Sequence, residues 1–143
     1  IFNKISMKQK YFAKKIKNAF GVFDSKTEYE RFLYLRSMQD RGIIQGLQRQ
    51  VSFEIIPKLV KMVKVPLKTK IKLVERVDEQ AAHYTPDFCY YRDGKYIIEE
   101  VKSKGTALAR DYPLRRKLIK QLIARHNQSV GSEEWVFNEI KSV

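Results

Sequence analysis

The residues best suited to chemistry are Asp87, Glu100 and Lys102, in the stretch TPDFCYYRDGKYIIEEVKSK at positions 85–104. In the hairpin that this stretch predicts, the two carboxylates face each other on one side, with Lys102 beside them. Opposed like charges destabilise a sheet, whereas a divalent cation between them removes the repulsion. A neighbouring lysine can orient water and stabilise charge on a phosphate. The trio therefore indicates a metal site acting on phosphate; a surface hairpin with ordinary charges is the alternative.

The hairpin itself follows from the turn Asp93-Gly94. These two residues lie between runs rich in Tyr, Phe, Ile and Val, a pattern typical of two antiparallel strands joined by a type I′ turn. Counting outward from the turn pairs Asp87 with Glu100. Because side chains alternate between the two faces of a strand, Glu99 is expected on the opposite face from Glu100.

The composition indicates one basic domain. The chain has 143 residues, of which 43% are hydrophobic, so it can bury one core. Twenty-nine Lys and Arg against 16 Asp and Glu leave a net charge of +13, which indicates a polyanionic partner. A basic surface around a small acidic centre suits a protein that grips phosphates and cuts with a metal. Ribosomal, membrane-surface and heparin-binding proteins are equally basic.

Other protein classes lack support in the sequence. We find no apolar run of membrane-spanning length, and the opening IFNKISMKQK lacks the apolar core of a signal peptide. The single cysteine, Cys89, offers neither an internal disulfide nor a zinc-binding cysteine cluster. We therefore expect a protein of the cytoplasm with no membrane partner.

Residues 1–20 form a basic arm that precedes a single domain over residues 21–143. The arm mixes lysines with aromatic residues, so it can pack through its rings and offer Lys10, Lys14 and Lys15 to a phosphate backbone. A disordered basic arm is the alternative for the first ten residues.

A helix is predicted from Ser25 to about Arg41, where Gly42 stops it. Ser25-Lys26-Thr27-Glu28 is a capping box, followed by apolar residues at helical spacing. Glu28 lies at the border of the apolar face. Its capping role explains its presence without any catalysis.

Two β-rich segments follow this helix. A strand is predicted from about Gln50, with alternating apolar residues up to Pro57. Residues 59–77 predict a half-exposed hairpin with a basic outer face, which either lies along DNA or keeps a sheet edge soluble. His83 is close enough in sequence to Asp87 to touch substrate or metal-bound water, but it also suits a purely structural role.

A second helix is predicted after the central hairpin, capped by Asp111 and followed by a final strand in EEWVFNEI. Its buried stripe comprises Leu114, Leu118, Ile119, Leu122 and Ile123. Cations on its other faces, and one in the preceding loop, are candidate phosphate contacts, although a solvated face accounts for many of them: Lys104, Arg115, Arg116, Lys117 and Lys120.

Pro86-Asp87 and Glu100-Val101-Lys102 match the pattern of the PD-(D/E)XK nuclease superfamily. Taken in order, YFAKKIKNAFGVFDSKTEYERFLYL, FEIIP, HYTPDFCYY, RDGKYIIEEVKS and TALARDYPLRRK resemble a family of small phage and prophage proteins of this fold. That family is described as Holliday-junction-resolvase-like, or as a phage domain of unknown function. The resemblance implies that the helix glutamate, Glu28, joins the hairpin acids. It also matches Gln50 to a recurrent glutamine that touches water or phosphate.

We therefore expect an α/β protein with a restriction-endonuclease-like mixed central sheet, flanking helices and an extra basic β-hairpin. The expected function is metal-dependent endodeoxyribonuclease, such as a phage-type Holliday junction resolvase or recombination nuclease. Its ligands for one or two Mg²⁺ or Mn²⁺ ions are Glu28, Asp87, Glu100 and the carbonyl of Val101, and Lys102 positions the attacking water.

Two alternatives remain open at this point. One is a nuclease selective for transposon ends or mismatches, and the other is a non-catalytic basic protein that binds DNA or RNA. We also consider a homodimer, because cutting two strands symmetrically calls for two sites.

Overall fold

The computed structural model describes residues 15–102 and 110–141, so the candidate contacts Lys10, Lys14 and Lys104 lie outside the described residues. Within these ranges the protein is a mixed α/β structure. Its elements are β1 (Ile16–Asn18), β2 (Gly21–Phe23), α1 (Lys26–Asp40), β3 (Gln45–Arg49), β4 (Phe53–Ile56), β5 (Leu59–Pro66), β6 (Ile71–Glu79), β7 (Ala82–Tyr84), β8 (Phe88–Arg92), β9 (Lys95–Lys102), α2 (Tyr112–Val130) and β10 (Trp135–Lys141).

A four-stranded mixed sheet lies at the centre, in the order β10-β9-β8-β3. Strands β8 and β9 form the predicted antiparallel hairpin, with Phe88 opposite Glu99 in the expected register. Asp93 and Gly94 have φ angles of 51° and 76°, as a type I′ turn requires. The hairpin prediction is confirmed. The parallel pairing of β10 with β9 was not anticipated.

One helix covers each face of this sheet. Helix α1 contributes Phe32 and Leu35 to a cluster that includes Phe88 and Val101. Helix α2 contributes Ile119 and Ile123 to a second cluster, which contains Ile98 and the buried thiol of Cys89. Adjacent residues of β9 therefore point to different layers. Glu99 faces α1, and Glu100 faces the side of α2.

The predicted bounds of α1 are confirmed. Ser25 is its N-cap, and the Ser25 hydroxyl accepts a hydrogen bond from the Glu28 N–H at 3.1 Å. Gly42 follows the helix with φ of 74°, which a residue without a side chain adopts at little cost.

Two predictions about α2 need correction. Asp111 occupies the predicted N-cap position, but its side chain makes no capping hydrogen bond, because its carboxylate pairs with Arg115 at 2.7 Å instead. Leu114, expected in the buried stripe, is 60% exposed. It lies in the first helical turn, and the layer that α2 covers is built around Ile119 and Ile123 further along the helix.

The strand predicted from Gln50 is also placed differently. Gln50 has φ of 59° and lies between β3 and β4, so it joins two strands rather than starting one. Strand β3, which pairs with β8, was missed. Its sequence QGLQR has a single large apolar residue and a shifted register, so it lacks the alternation that identifies a strand.

Strands β5 and β6 form the predicted lysine-rich hairpin. The hairpin was expected to be half-exposed, but most of its residues are exposed and none belongs to either buried cluster of the described residues. Each of these clusters is filled by the helices and the other strands.

Among the described residues, neither helix combines the length and the apolar character needed to cross a membrane.

Arg31 anchors α1 to the sheet. It donates hydrogen bonds of 2.9 and 2.7 Å to the carboxylate of the fully buried Glu99. Tyr90 and Asn138 donate to the same carboxylate at 2.8 and 2.9 Å. Glu99 is thus a neutralised and fully hydrogen-bonded structural acid.

Replacing Arg31 with Met leaves the buried Glu99 carboxylate without its cation, so we expect a loss of about 3–5 kcal/mol in the free energy of unfolding, measured in urea. The control is Lys26→Met, which removes an exposed ion pair to Glu30 and should cost less than about 1 kcal/mol. Equal losses in the two variants would contradict this role of Arg31.

Candidate metal centre

Three carboxylates converge where α1 begins and β8 begins. Oxygen atoms of Asp24, Glu28 and Asp87 lie within 4.8 Å of one another. Asp24 precedes the N-cap of α1, Glu28 lies in the first helical turn, and Asp87 precedes β8. Carboxylate oxygens at this spacing can surround one hard divalent cation. The group is therefore a candidate metal centre within the described part of the chain.

Glu28 has an oxygen without a hydrogen-bond partner. Its side chain is buried, with Oε2 accepting a hydrogen bond from the Asp24 N–H at 2.8 Å. Oε1 accepts none in the described structure and lies 3.5 Å from Nη2 of Arg49, as an ion pair rather than a directed hydrogen bond. Burial raises the pKa of Glu28. A buried carboxylate oxygen left in this way is costly, and a cation would satisfy it.

The predicted capping box is therefore only half formed. Ser25 caps the helix, but the Glu28 carboxylate bonds to the N–H of Asp24 instead of that of Ser25. Its other oxygen remains available beside Asp87. The helix terminus thus positions Glu28 without using up the carboxylate.

Asp87 is buried close to two other acids, Glu100 and Glu28. It is 9% exposed, and its Oδ2 accepts a hydrogen bond of 2.8 Å from the Val101 N–H across the hairpin. Burial, then the nearby charges of Glu100 and Glu28, raise the pKa of Asp87 to about 8. The proximity of Asp87 and Glu100 that the register suggested is present. Val101 meets Asp87 through its N–H, whereas the sequence analysis assigned a role to its carbonyl.

Glu100 is next to this group but does not belong to it. Its Oε2 accepts a hydrogen bond of 2.6 Å from the Tyr84 hydroxyl, and Oε1 lies 3.1 Å from Nζ of Lys102. Burial raises the pKa of Glu100 as well. The structure therefore brings Glu28 and Asp87 together with Asp24, and holds Glu100 on the adjoining side with Lys102.

Lys102 is fixed from two directions. Its ammonium group contacts Glu100 and lies 3.6 Å from the ring centroid of Tyr112, the first residue of α2. The side chain is only 10% exposed. A cation held between a carboxylate and an aromatic ring has a defined position. Lys102 therefore presents a fixed positive charge beside the carboxylates.

Glu139 is a further acid that the sequence analysis missed. It lies opposite Glu100 in the parallel pair β9–β10 and accepts hydrogen bonds from Tyr112 and Arg116. Burial alone would raise its pKa, but these donors and Lys141 lower the pKa of Glu139 below its ordinary value. Glu139 is thus a satisfied carboxylate that orients Tyr112.

Sequence reasoning also missed Asp24, Tyr84 and Tyr112. The only local signal for Asp24 is its position directly before the helix cap in FDSKTE. The two tyrosines lie 16 residues before Glu100 and 10 residues after Lys102 in the sequence, so only the folded chain brings them to the site.

The candidate phosphate contacts fall into two groups. Arg115 and Arg116 are engaged, since Arg115 donates to the His83 carbonyl at 2.6 Å and Arg116 bonds to Glu139. His83 thus holds α2 through its backbone, and its side chain is exposed. The others have exposed side chains and are available to a ligand: Lys15, Gln50, Lys117 and Lys120.

Comparisons with known proteins give one match. The model of the family described as "Protein of unknown function (DUF1064)" matches residues 8–141. Neither a curated protein nor a solved structure matches the chain. Because the family model spans nearly the whole sequence, the chain belongs to the DUF1064 family of proteins of unknown function.

Proposed function

We propose that the protein is a metal-dependent endodeoxyribonuclease with a restriction-endonuclease-like fold. The observation that carries this proposal is the buried Oε1 atom of Glu28, which accepts no hydrogen bond, within the group formed with Asp24 and Asp87. A set of acids that served only the fold would be expected to have its buried oxygens satisfied by donors, as Glu99 has. The adjoining pair of Glu100 and Lys102 supplies the charged groups that hydrolysis of a phosphodiester requires.

Asp24, Glu28 and Asp87 are the residues that would hold Mg²⁺ or Mn²⁺, with Glu100 next to them for a second ion. When bound, the metal lowers the pKa of water and neutralises charge on the phosphate. The ligands predicted from the sequence are Glu28, Asp87, Glu100 and the Val101 carbonyl. Asp24 is added to that set because its carboxylate meets the other two.

The remaining chemistry belongs to side chains of the protein. Lys102, held by Glu100 and Tyr112, orients the attacking water and donates to a phosphate oxygen. Water attacks phosphorus in line with the leaving group, the bond from phosphorus to the 3′ oxygen breaks, and the products carry a 3′-hydroxyl and a 5′-phosphate. Tyr84 keeps Glu100 in place through its hydroxyl.

DNA is the proposed substrate because of the charge distribution. The net charge of +13 attracts phosphates, and Lys117 and Lys120 are exposed on α2, the helix that begins at Lys102's partner Tyr112. A phage-type Holliday junction resolvase or recombination nuclease is the form we favour, and transposon-end or mismatch cleavage are variants of the same chemistry. A DNA- or RNA-binding protein without catalysis is the competing class.

Metal binding separates the two classes. We expect Mn²⁺ to raise the melting temperature of the wild type, since an ion at 100 times its Kd adds about 2.7 kcal/mol of stability. Glu28→Gln and Asp87→Asn should lose this shift, as each removes an anionic ligand. Asp40→Asn, at the exposed far end of α1, is the control and should keep it. An unchanged melting temperature in the wild type would favour the binding protein.

The rise in melting temperature that Mn²⁺ causes should be larger at higher pH. With a folded pKa of about 8 against an ordinary value of 3.8, Asp87 binds a proton in the folded protein that the unfolded chain has already released. Metal-free stability therefore falls as pH rises between these values, and a metal must displace that proton below pH 8. We expect a larger Mn²⁺ shift at about pH 8.5 than at about pH 6. The opposite order would count against Asp87 as a ligand.

Catalysis is tested by incubating labelled four-way junction, duplex and flap DNAs with and without Mg²⁺. Asp87→Ala and Lys102→Ala should reduce cutting by at least about 10²-fold, because they remove a metal ligand and a charge on the reacting phosphate, while DNA binding persists. Lys141→Ala is the control, since Lys141 is 73% exposed and pairs with Lys102 in the sheet register. Full cutting activity in the Lys102→Ala variant would show that Lys102 takes no part in the mechanism.

Phosphate contacts on α2 are tested by the salt dependence of DNA binding. Each of Lys117→Ala and Lys120→Ala should weaken binding to all sequences and reduce the slope against log salt by about one. Lys95→Ala is the control, because Lys95 lies at the turn end of β9, away from Asp87, and pairs with Glu133. A slope that Lys117→Ala leaves unchanged would exclude that contact.

A further inference from the structure

The hairpin of β5 and β6 extends from the domain with two unlike faces. The strands pair from Leu59 opposite Glu79 to Pro66 opposite Ile71. At a rise of about 3.3 Å per residue, an eight-residue strand extends about 26 Å. A two-stranded hairpin without further packing is marginally stable in water, and this one lies outside both core clusters of the described residues.

Side chains alternate along each strand, and paired residues share a face. One face, the basic face, comprises Lys61, Val63, Val65, Lys72, Val74 and Arg76. The other, the apolar face, comprises Val60, Met62, Lys64, Pro66, Ile71, Leu73, Glu75 and Val77.

The apolar face is exposed where a core would be expected. Its five large apolar side chains are between 43% and 66% exposed against the described part of the chain. On the basic face the three valines are half-buried by the long cationic side chains around them. A contiguous apolar patch of this kind marks a surface that another protein covers.

The charges on the two faces of the hairpin indicate which partner the apolar face can bind. At a net charge of +13, two copies of this chain repel each other across most of their surfaces. The apolar face is neutral, because it carries one lysine, Lys64, and one acid, Glu75. The basic face has three cations, and the acids Asp78 and Glu79 lie only at its bulged end, where Asp78 pairs with Lys61. The apolar face is therefore a surface on which a second copy can approach without electrostatic cost, and it offers little to a polyanion.

We propose that the apolar face of the β5–β6 hairpin binds the same face of a second copy, giving a two-fold symmetric dimer. A two-fold axis that crosses the strands between the Met62–Glu75 and Lys64–Leu73 pairs brings Lys64 of one copy next to Glu75 of the partner subunit, and the reverse. The single charged pair of each face is then self-complementary.

The size of the face sets the strength of the dimer. A strip about 26 Å long and roughly two strands wide is smaller than the ~800 Å² that each partner contributes to a standard interface. The dimer is accordingly weak and concentration-dependent. Both basic faces then point outward, away from the contact.

Sedimentation equilibrium of the full chain without metal or nucleic acid tests the dimer, independently of any nuclease activity. We expect the wild type to dimerise with rising concentration and Leu73→Lys to raise the Kd at least about tenfold, which is ~1.4 kcal/mol. Leu114→Lys makes the same change at a leucine of matched exposure, 60% against 58%, and should leave the Kd unchanged. Far-UV circular dichroism checks the fold of each variant.

Charge reversal provides the second test. Lys64→Glu places two acids together at each symmetric contact and should weaken the dimer, whereas the double variant Lys64→Glu with Glu75→Lys should restore it. A wild type that stays monomeric at all concentrations overturns the proposal. If the wild type is monomeric and the variants Lys61→Ala and Lys72→Ala bind DNA more weakly, the hairpin is a nucleic-acid contact instead of a dimer contact.

Discussion

Mutual repulsion of buried carboxylates is the constraint on which the site depends. Asp87 lies near Glu28 of α1 and Glu100 of β9, and its burial and both neighbouring charges oppose its ionisation. A fold selected for stability alone would separate these groups. The hydrogen bond from the Val101 N–H nevertheless fixes Asp87 at the start of β8. The protein therefore stores at this point an electrostatic cost that a divalent cation would relieve.

The elements that carry these acids are held together by buried polar groups that are fully hydrogen-bonded. Glu99, one residue before Glu100, has four hydrogen bonds from Arg31, Tyr90 and Asn138 and ties α1 to the sheet. The alternation of a single strand thus sends one glutamate into a structural network and the next one towards the site. The two acids have the same chemistry, and their surroundings give them different roles.

Local signals in the sequence were sufficient for the parts of the structure formed by neighbouring residues. Asp93-Gly94 determined the central hairpin and its register, and Ser25 determined the start of α1. Distant pairings left no such signal. Strand β3 has little apolar alternation, and the parallel pairing of β9 with β10 joins segments that the whole of α2 separates.

The residues of the site also divide into those that local sequence signals predict and those that only distant contacts bring together. Asp87, Glu100 and Lys102 could be placed together because the hairpin register relates them directly. Asp24 and Tyr84 could not, because their approach to the site depends on how α1 and β7 pack against the sheet. The exposed apolar face of the β5–β6 hairpin was missed for a related reason. Alternation predicts that a strand has two unlike faces, and it does not show which of them a core covers.

Cys89 follows Asp87 by two residues in β8, and its thiol is fully buried. Burial raises the pKa of the Cys89 thiol, and only the thiolate reacts readily with alkylating or oxidising reagents. Modification of this sulfur therefore requires the layer between α2 and the sheet to open. The chain consequently contains its own chemical reporter of that opening, placed in the strand that follows the candidate metal ligand Asp87.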